Sequence, residues 1–340
     1  MATYERRRYL FMTTDPVHVG TGGYRLGRVD LSIVREPGTR VPKIPGTSLR
    51  GAARAYSARI YESPACAGQG TNQEGRSGHC GRDDCPICYT FGYLSRKTDQ
   101  EDSTVGYSGV VNVFDARVLL FPVYSMAGPV WVSTVDIMQE AGFKVTNVPS
   151  NWNVGAALLA WERNDALNLG WLMVEIAGKV LVTAPQEWSK DERWKQVQNR
   201  IVLVQPALFS QVVNSNLEVR TSVAIDPERG AAEDKALYTY EALPRATFLT
   251  CEVVLDDYRE REEKRPFPIE KTTNGNPLPG KKKWEGPLDV LDAGLRMIEW
   301  LGVGGMGTRG FGRLAVVGQT TSQMWPDKEG QKNEQQHGTS

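Results

Sequence analysis

The sequence predicts an α+β protein whose central sheet has the ferredoxin-like, split βαβ arrangement. A predicted strand followed by a helix opens the chain, a helix followed by a strand closes it, and further strands lie between them. Of the 340 residues, 40% are hydrophobic, which is enough for a packed core. The length suits one large domain with insertions or two domains, and we expect a single domain over residues 1–325.

The first strand and helix occupy the N-terminal part of the chain. Residues 7–14 are strand-like and lead into a glycine-punctuated loop. Over residues 28–34 apolar and polar side chains alternate, which predicts a half-buried strand with Asp30 on its polar face. A helix is predicted from about Ser48, with Thr47 or Ser48 as the N-cap.

The remaining elements follow from the same periodicity, from turn residues and from composition. A polar, cysteine-bearing insertion comes first, then a long hairpin, then a charged loop, and the chain ends in a tail that we expect to be disordered. The insertion spans about 62–104, the hairpin about 218–244, the charged loop about 257–286 and the tail 326–340; strands are predicted at 110–123, 129–135, 171–182, 248–255 and 313–317, and a helix at 287–301.

Charge and composition exclude several classes of protein. Lys and Arg number 40 and Asp and Glu number 40, so the net charge of zero excludes a histone-like chain. The apolar runs are far shorter than the about 20 residues of a membrane span, and the N-terminus lacks a signal-peptide core. Five cysteines without a secretion signal favour a reducing, cytoplasmic location.

The first 60 residues are basic. They hold 11 Lys and Arg against 4 Asp and Glu, a net charge of +7. A basic, glycine-rich segment in an otherwise neutral protein indicates a surface for a polyanion. The alternative is a solvated face whose counter-charges come from elsewhere in the fold.

A second glycine-rich segment runs from Gly302 to Gly312 and holds six glycines in eleven residues. Its spacing matches the dinucleotide fingerprint, but that motif needs a strand before it and a helix after it, and here the order is reversed. Two interpretations remain. Either the bare backbone approaches a phosphate chain, with Arg309 adding charge, or the segment is a tight turn that needs positive φ angles.

Four of the five cysteines lie close together, and their spacing is typical of a metal site. Cys85 and Cys88 are separated by two residues, as in a zinc knuckle, and Cys66 and Cys80 complete four thiolates that would fill a tetrahedral shell. Such a shell has no vacancy, so the sequence predicts a structural zinc. An iron–sulfur or redox role and inert thiols are the alternatives, and His79 is an alternative ligand.

Asp30 is the candidate catalytic residue, although an isolated aspartate on a strand is usually an ion-pair partner, here of Arg28. Arg50 and Arg54 are four residues apart on the predicted helix and therefore share a face. With only three histidines, a Ser–His–Asp triad is poorly supported.

Several of these segments resemble one known family. His18 to Gly22, Gly27 to Asp30, and the run from Pro42 to Arg54 are similar to the N-terminal signature of RAMP backbone subunits of type III CRISPR effector complexes. The closing Gly304 to Arg313 resembles their glycine-rich loop. Other stretches divide between subtypes: residues 114–122 and 223–244 are similar to Cmr-type subunits, and residues 85–92 to the zinc insertion of Csm-type subunits. The subtype therefore stays open, and a type III-D-like system would suit the mixture.

The resemblance implies a right-hand-like fold, with a modified RNA-recognition-motif palm, zinc-bearing fingers and a β-hairpin thumb. It also implies the partners: CRISPR RNA, target RNA, neighbouring RAMP subunits and other effector subunits. On this basis the expected RNA-binding residues lie in the basic first segment and the glycine-rich loop, namely His18, Lys43, Ser48, Arg50, Arg54, Gly304, Gly305, Gly307 and Arg309.

The resemblance further implies that Asp30 cuts target RNA. The adjacent 2′-hydroxyl would attack the phosphorus and leave a 2′,3′-cyclic phosphate and a 5′-hydroxyl, with a divalent cation, magnesium or manganese, offsetting the phosphate charge. One rival is a non-catalytic RNA-binding subunit of the same complex. Another is a guide-processing ribonuclease of the superfamily, which usually needs a His or Tyr base.

Overall fold

One large mixed sheet organises the chain in the computed structural model, which describes residues 3–22, 29–68, 79–80, 82, 84–96, 104–232, 237–259 and 265–325. The strands are β1 (Thr3–Thr13), β2 (Lys43–Ile44), β3 (Gly92–Arg96), β4 (Thr104–Ser108), β5 (Val111–Val113), β6 (Ala116–Ser125), β7 (Gly128–Ser133), β8 (Lys144–Thr146), β9 (Ala156–Leu159), β10 (Leu167–Leu169), β11 (Leu172–Lys179), β12 (Leu181–Thr183), β13 (Ile201–Val204), β14 (Glu218–Ser222), β15 (Ile225–Asp226), β16 (Ala231–Ala232), β17 (Tyr238–Ala242), β18 (Phe248–Asp257) and β19 (Leu314–Trp325).

The α-helices are α1 (Gly46–Ile60), α2 (Pro86–Phe91), α3 (Val135–Glu140), α4 (Gln186–Ser189), α5 (Glu192–Val197), α6 (Pro206–Ser215) and α7 (Pro287–Leu301). Short 3₁₀ turns cover Pro64–Ala67, Gln198–Arg200, Pro279–Lys281 and Gly307–Arg309. Among the described residues no helix is both long enough and apolar enough to cross a membrane.

The centre of the large sheet has the strand order β19-β1-β18-β6, and all three pairings are antiparallel. Helix α1 lies between β1 and β6 in the chain, and α7 connects β18 to β19. This order is that of the split βαβ arrangement predicted from the sequence. Beyond β6 the sheet continues through β7, β13, β9, β11 and β10, with parallel as well as antiparallel pairs.

Both faces of the central strands are buried. On β1, Tyr9 and Phe11 pack into the core beneath α1 and α7, whereas Leu10 packs on the opposite face. That second face is covered by the segment between β7 and β13, which includes Trp188 and Trp194. Because successive strand residues point to opposite faces, this double burial explains why β1 is apolar without alternation over these three residues.

Helices α1 and α7 approach each other closely at Gly294. A Cβ at this position would lie 2.2 Å from the carbonyl oxygen of Ala53 and 2.5 Å from Ser57 Oγ. Ser57 Oγ donates a hydrogen bond to the Val290 carbonyl at 2.6 Å, which fixes the crossing. The contact sets the position of the two helix ends that reach the glycine-rich loop.

The structure corrects several local predictions, beginning with those around α1 and Asp30. Helix α1 begins at Gly46, so Thr47 and Ser48 lie inside its first turn, and the Gly46 N–H donates to Asp115 Oδ1 at 2.8 Å. A distant carboxylate therefore replaces the predicted Ser or Thr cap. The segment around Asp30 forms isolated bridges at Leu31 and Ile33 instead of a continuous strand, because its partners come from two different elements. Arg28 lies outside the described residues.

In the segment predicted to form a long hairpin, β14 pairs with β17 and β15 pairs with β16, both antiparallel. The predicted closing strand is longer than expected and runs to Trp325 as β19. The strand predicted over 171–182 is divided into β11 and β12, which join different sheets. The tail 326–340 and much of the cysteine-bearing insertion lie outside the described residues.

We expect Gly294→Ala to lower the free energy of unfolding by about 1 to 3 kcal/mol, because the added methyl group would force α1 and α7 apart. Urea denaturation followed by circular dichroism measures the change. Gly51→Ala on α1 is the matched control, since nothing lies within 4 Å of a Cβ there. Its helix propensity predicts a gain of about 0.5 to 1 kcal/mol. Equal stability of the two variants would contradict the proposed crossing.

Candidate nucleic-acid interface

Three segments that are distant in the sequence meet at His18. The Gly305 N–H donates to the His18 carbonyl at 2.9 Å, and His18 Nδ1 lies 2.6 Å from the Glu241 carbonyl oxygen. A carbonyl oxygen only accepts, so Nδ1 carries the proton in this contact. The side chain of His18 is buried, so it joins the glycine-rich loop to β17.

The glycines of the 302–312 loop fall into two groups. Gly302, Gly304, Gly310 and Gly312 have positive φ angles, and a Cβ on Gly304 would lie 2.4 Å from the His18 carbonyl oxygen. These glycines are required by the turn itself. Gly307 has an ordinary φ and nothing within 4 Å of a Cβ, and Gly305 would make only an ordinary contact with His18 at 3.6 Å. The chain itself does not require these two glycines, so they remain available for a ligand.

A cavity of about 380 Å³ lies between this loop and the first turns of α1. Ser48, Gly51 and Tyr56 line it from the helix, and Gly304 and Gly307 line it from the loop. The Tyr56 hydroxyl donates to the Gly302 carbonyl at 2.7 Å, which ties the two walls together. The structure thus brings together Ser48, Gly304 and Gly307, which the sequence analysis selected separately.

Asp30 is exposed, and its carboxylate is held by β17. Its Oδ2 accepts hydrogen bonds from the Thr239 N–H at 2.7 Å and from the Thr239 hydroxyl at 2.9 Å. These two donors lower the pKa of the Asp30 carboxyl below its ordinary value. The group is therefore ionised at neutral pH.

Arg309 reaches the same strand from the glycine-rich loop. It donates a hydrogen bond to the Tyr238 hydroxyl, and its guanidinium lies 5.8 Å from the centre of the Tyr238 ring. Asp30 and Arg309 therefore contact consecutive residues of β17. Their opposite charges flank the start of this strand.

A buried ion pair that the sequence analysis missed lies behind this region. Arg35 Nη2 donates to Glu241 Oε2 at 2.8 Å, and the Ile33 N–H donates to Glu241 Oε1 at 2.9 Å. Glu241 is only 6% exposed. The available signal was a lone carboxylate inside the otherwise apolar and aromatic stretch that ends β17, but its partner lies 206 positions away in the sequence.

Three predicted RNA-binding side chains instead make contacts within the chain. Lys43 Nζ pairs with Asp115 at 2.6 Å, and this hydrogen bond raises the pKa of Lys43. Arg50 donates to the Phe91 carbonyl. Arg54 is buried and donates to the Cys66 carbonyl at 2.7 Å. The geometry therefore gives Arg54 a different role from the predicted phosphate contact: it binds the cysteine-bearing insertion to α1.

The four cysteines form one cluster, with all Sγ atoms within 4.8 Å of one another. Cys80 and Cys88 are 3.7 Å apart, and Cys66 and Cys85 are 3.9 Å apart. A tetrahedral zinc with a Zn–S distance of about 2.3 Å separates its sulfurs by about 3.8 Å. Hydrogen bonds from Cys80, Cys85 and Cys88 lower the pKa of the Cys66 thiol. The cluster could hold a metal such as zinc, while His79 Nδ1 lies 2.9 Å from Arg54 Nη2.

Comparison with known proteins assigns the family. The model of the RAMP superfamily matches residues 10–315, which is most of the chain. The chain belongs to the RAMP superfamily. A curated relative of this RAMP protein is the CRISPR system Cmr endoribonuclease Cmr4 of Pyrococcus furiosus, 24% identical over 251 residues, which are 69% of this chain and 76% of the relative.

Solved structures share the fold. A type III-B Cmr-beta complex bound to cognate target RNA contains a chain with a TM-score of 0.57 and 13% identity, and the match covers 92% of this chain and 97% of that one. The crystal structure of oligomeric Cmr4 from Pyrococcus furiosus gives a TM-score of 0.52 and 17% identity, and the match covers 94% and 99%. At these identities the likeness concerns the fold alone.

We expect Glu241→Ala to lower the free energy of unfolding by about 3 to 5 kcal/mol, because it leaves the guanidinium of Arg35 without its charged partner. Urea denaturation of the purified protein measures the loss. Glu218→Ala, on the neighbouring strand β14, removes the partly exposed pair with Arg220 and should cost less than about 1 kcal/mol. If Glu241→Ala lowers the free energy of unfolding no more than Glu218→Ala does, the buried ion pair does not stabilise the fold.

Proposed function

We propose that this RAMP protein is a guide-RNA-binding backbone subunit of a type III CRISPR effector complex and that it cuts target RNA paired to the guide. The observation that carries the proposal is the joint at His18. His18 bonds both to the 302–312 loop and to β17, the strand that also holds the ionised carboxylate of Asp30, and this loop faces the first turns of α1 across the cavity. The relatives named for RNA cleavage and for target-RNA complexes support the same reading.

The guide backbone is proposed to bind in the cavity between α1 and the glycine-rich loop. Phosphate oxygens accept from backbone N–H groups and hydroxyls, and the Ser48 hydroxyl and the Gly307 N–H are the proposed donors, with no side chain at Gly307 to block the approach. Arg309 adds a positive charge at the edge. His18 holds the loop in place through the hydrogen bond from the Gly305 N–H to its carbonyl. Arg54 is left out, since the carbonyl groups of the cysteine-bearing insertion already engage its guanidinium.

Cleavage is proposed to use Asp30. Its carboxylate takes the proton of the 2′-hydroxyl while the O2′–P bond forms and the P–O5′ bond breaks, and the departing 5′-oxygen takes up a proton. The products are a 2′,3′-cyclic phosphate and a 5′-hydroxyl. Guide pairing supplies the in-line geometry. A magnesium or manganese ion enters the proposal only as counter-charge to the phosphate, since among the described residues the cysteines form the one cluster of three or more close metal-ligating groups.

Asp30→Asn should reduce target cleavage by about 100- to 10,000-fold, because the amide keeps the shape but cannot accept the proton. The measurement is single-turnover cleavage of labelled target RNA by the assembled complex, with the product ends analysed. Guide and target binding should be unchanged. Cutting at the wild-type rate would favour the alternative function, a non-catalytic RNA-binding subunit.

The cysteine cluster is proposed to hold one structural zinc. Three of the four thiols are buried, and four sulfurs leave no open position for substrate. Arg54 links the insertion to α1, so the metal would stabilise the segment that lies against the RNA-binding helix. Metal binding of this kind contributes directly to folding.

We expect about one zinc per chain by elemental analysis, and loss of the metal in the Cys85→Ser, Cys88→Ser double variant. The variant should assemble poorly and melt at a lower temperature, because the insertion loses the metal that would hold its four cysteines together. Cys251→Ser is the matched control, because Cys251 is a buried cysteine on β18 that hydrogen-bonds to the Phe114 carbonyl. A wild-type protein that contains no metal and is no more stable than the double variant would refute the zinc site.

A further inference from the structure

Thr239 uses every one of its polar groups on the segment that carries Asp30. Its N–H and its hydroxyl donate to Asp30 Oδ2, at 2.7 and 2.9 Å. Its hydroxyl oxygen lies 3.2 Å from the Asp30 N–H, which donates to it. Its carbonyl accepts from the Leu31 N–H at 3.0 Å. The residue therefore holds both the backbone and the carboxylate of Asp30.

The direction of these bonds matters for chemistry. Because the Thr239 oxygen accepts from the Asp30 N–H, its own single proton points to Asp30 Oδ2. Both donors act on Oδ2, and no described residue makes a hydrogen bond to the other carboxylate oxygen, Oδ1. Asp30 is exposed, and a carboxylate held by one oxygen has a defined orientation that a free surface aspartate lacks.

We propose that Thr239 is a positioning residue for RNA cleavage, fixing the carboxylate of Asp30 so that its other oxygen, Oδ1, faces the attacking 2′-hydroxyl. This inference rests on the proposed function, since it needs Asp30 to be the cutting residue. Thr239 belongs to β17, which pairs with β14 in the hairpin region. The orientation of the carboxylate therefore depends on the placement of this hairpin.

Orientation and basicity make opposite predictions, which makes the proposal testable. The two donors lower the pKa of Asp30, so losing one of them would make the carboxylate a stronger base. If basicity limited the rate, Thr239→Val would therefore cut faster. If orientation limits the rate, the same variant cuts more slowly, because a misplaced catalytic group loses up to about 100-fold.

Thr239→Val is the informative variant. Valine keeps the β-branched shape and the backbone N–H, so the contacts to Leu31 and one bond to Asp30 persist while the hydroxyl is lost. Thr239→Ser restores the hydroxyl without the methyl group. Thr221→Val is the matched control, because Thr221 lies directly opposite Thr239 in the register of β14 and β17.

The assay is single-turnover cleavage of labelled target RNA by the complete complex at saturating protein. We expect Thr239→Val to slow cleavage by about 10- to 100-fold with unchanged target affinity. Thr239→Ser should recover most of the rate, and Thr221→Val should cut like the wild type. In an Asp30→Asn background, adding Thr239→Val should cause no further loss, because both changes act through the same carboxylate.

The outcomes separate this inference from the proposed function. If Asp30→Asn itself cuts normally, the proposed function fails. If Asp30→Asn is inactive but Thr239→Val cuts at or above the wild-type rate, the positioning role alone fails. A slow Thr239→Val variant that serine does not rescue, or one that lowers the rate further in the Asp30→Asn background, assigns the effect to the hairpin and also overturns the inference.

Discussion

The buried carboxylate of Glu241 is the constraint on which the arrangement of this site depends. A buried charge is tolerated only when it is paired and hydrogen-bonded, and Glu241 meets this condition through Arg35 and the Ile33 N–H. Both partners lie in the segment that follows Asp30. Satisfying one carboxylate therefore draws that segment against β17 and brings Asp30 within reach of Thr239. The carbonyl of the same Glu241 accepts from His18, so the loop between β1 and the Asp30 segment is fixed at the same strand.

The glycine-rich loop also contacts His18, and its position is set by the close approach of its backbone to the neighbouring chain. Gly304 lies so near the His18 carbonyl that any side chain would collide, and Gly312 is equally close to Val303. Since the loop begins at the end of α7 and leads into β19, its position follows from the crossing of α1 and α7 at Gly294. The central helices and the candidate site are thus parts of one packing arrangement, and a shift at the crossing would move Arg309 and the walls of the cavity together.

The sequence predicts the elements better than it predicts their contacts. The strand–helix start and the helix–strand end of the chain predict the central split βαβ arrangement, and the spacing of Cys85 and Cys88 indicates a metal cluster, because these signals are local. The anchor of Asp30 is 209 positions away in Thr239 and the cap of α1 is 69 positions away in Asp115, so neither leaves a local pattern. The same holds for Arg54: helical spacing predicts which face it occupies, but not that a carbonyl of the insertion lies there.

The contacts of the basic residues bear on which physical effect would carry the proposed RNA binding at this site. A net charge of +7 in the first 60 residues indicates a polyanion surface. In the structure, however, Lys43 forms an ion pair with Asp115, and Arg54 donates hydrogen bonds to carbonyl groups of the insertion. No Lys or Arg is among the described residues that line the cavity, and its polar groups come from the backbone and from the hydroxyls of Thr47, Ser48 and Tyr56. Such donors would approach a phosphate at fixed positions and read no bases, which suits the proposed role of holding a guide of any sequence. Helix α1 thus has two roles. Arg54 on one face binds the cysteine-bearing insertion, while Ser48 in the first turn lines the proposed guide-binding cavity.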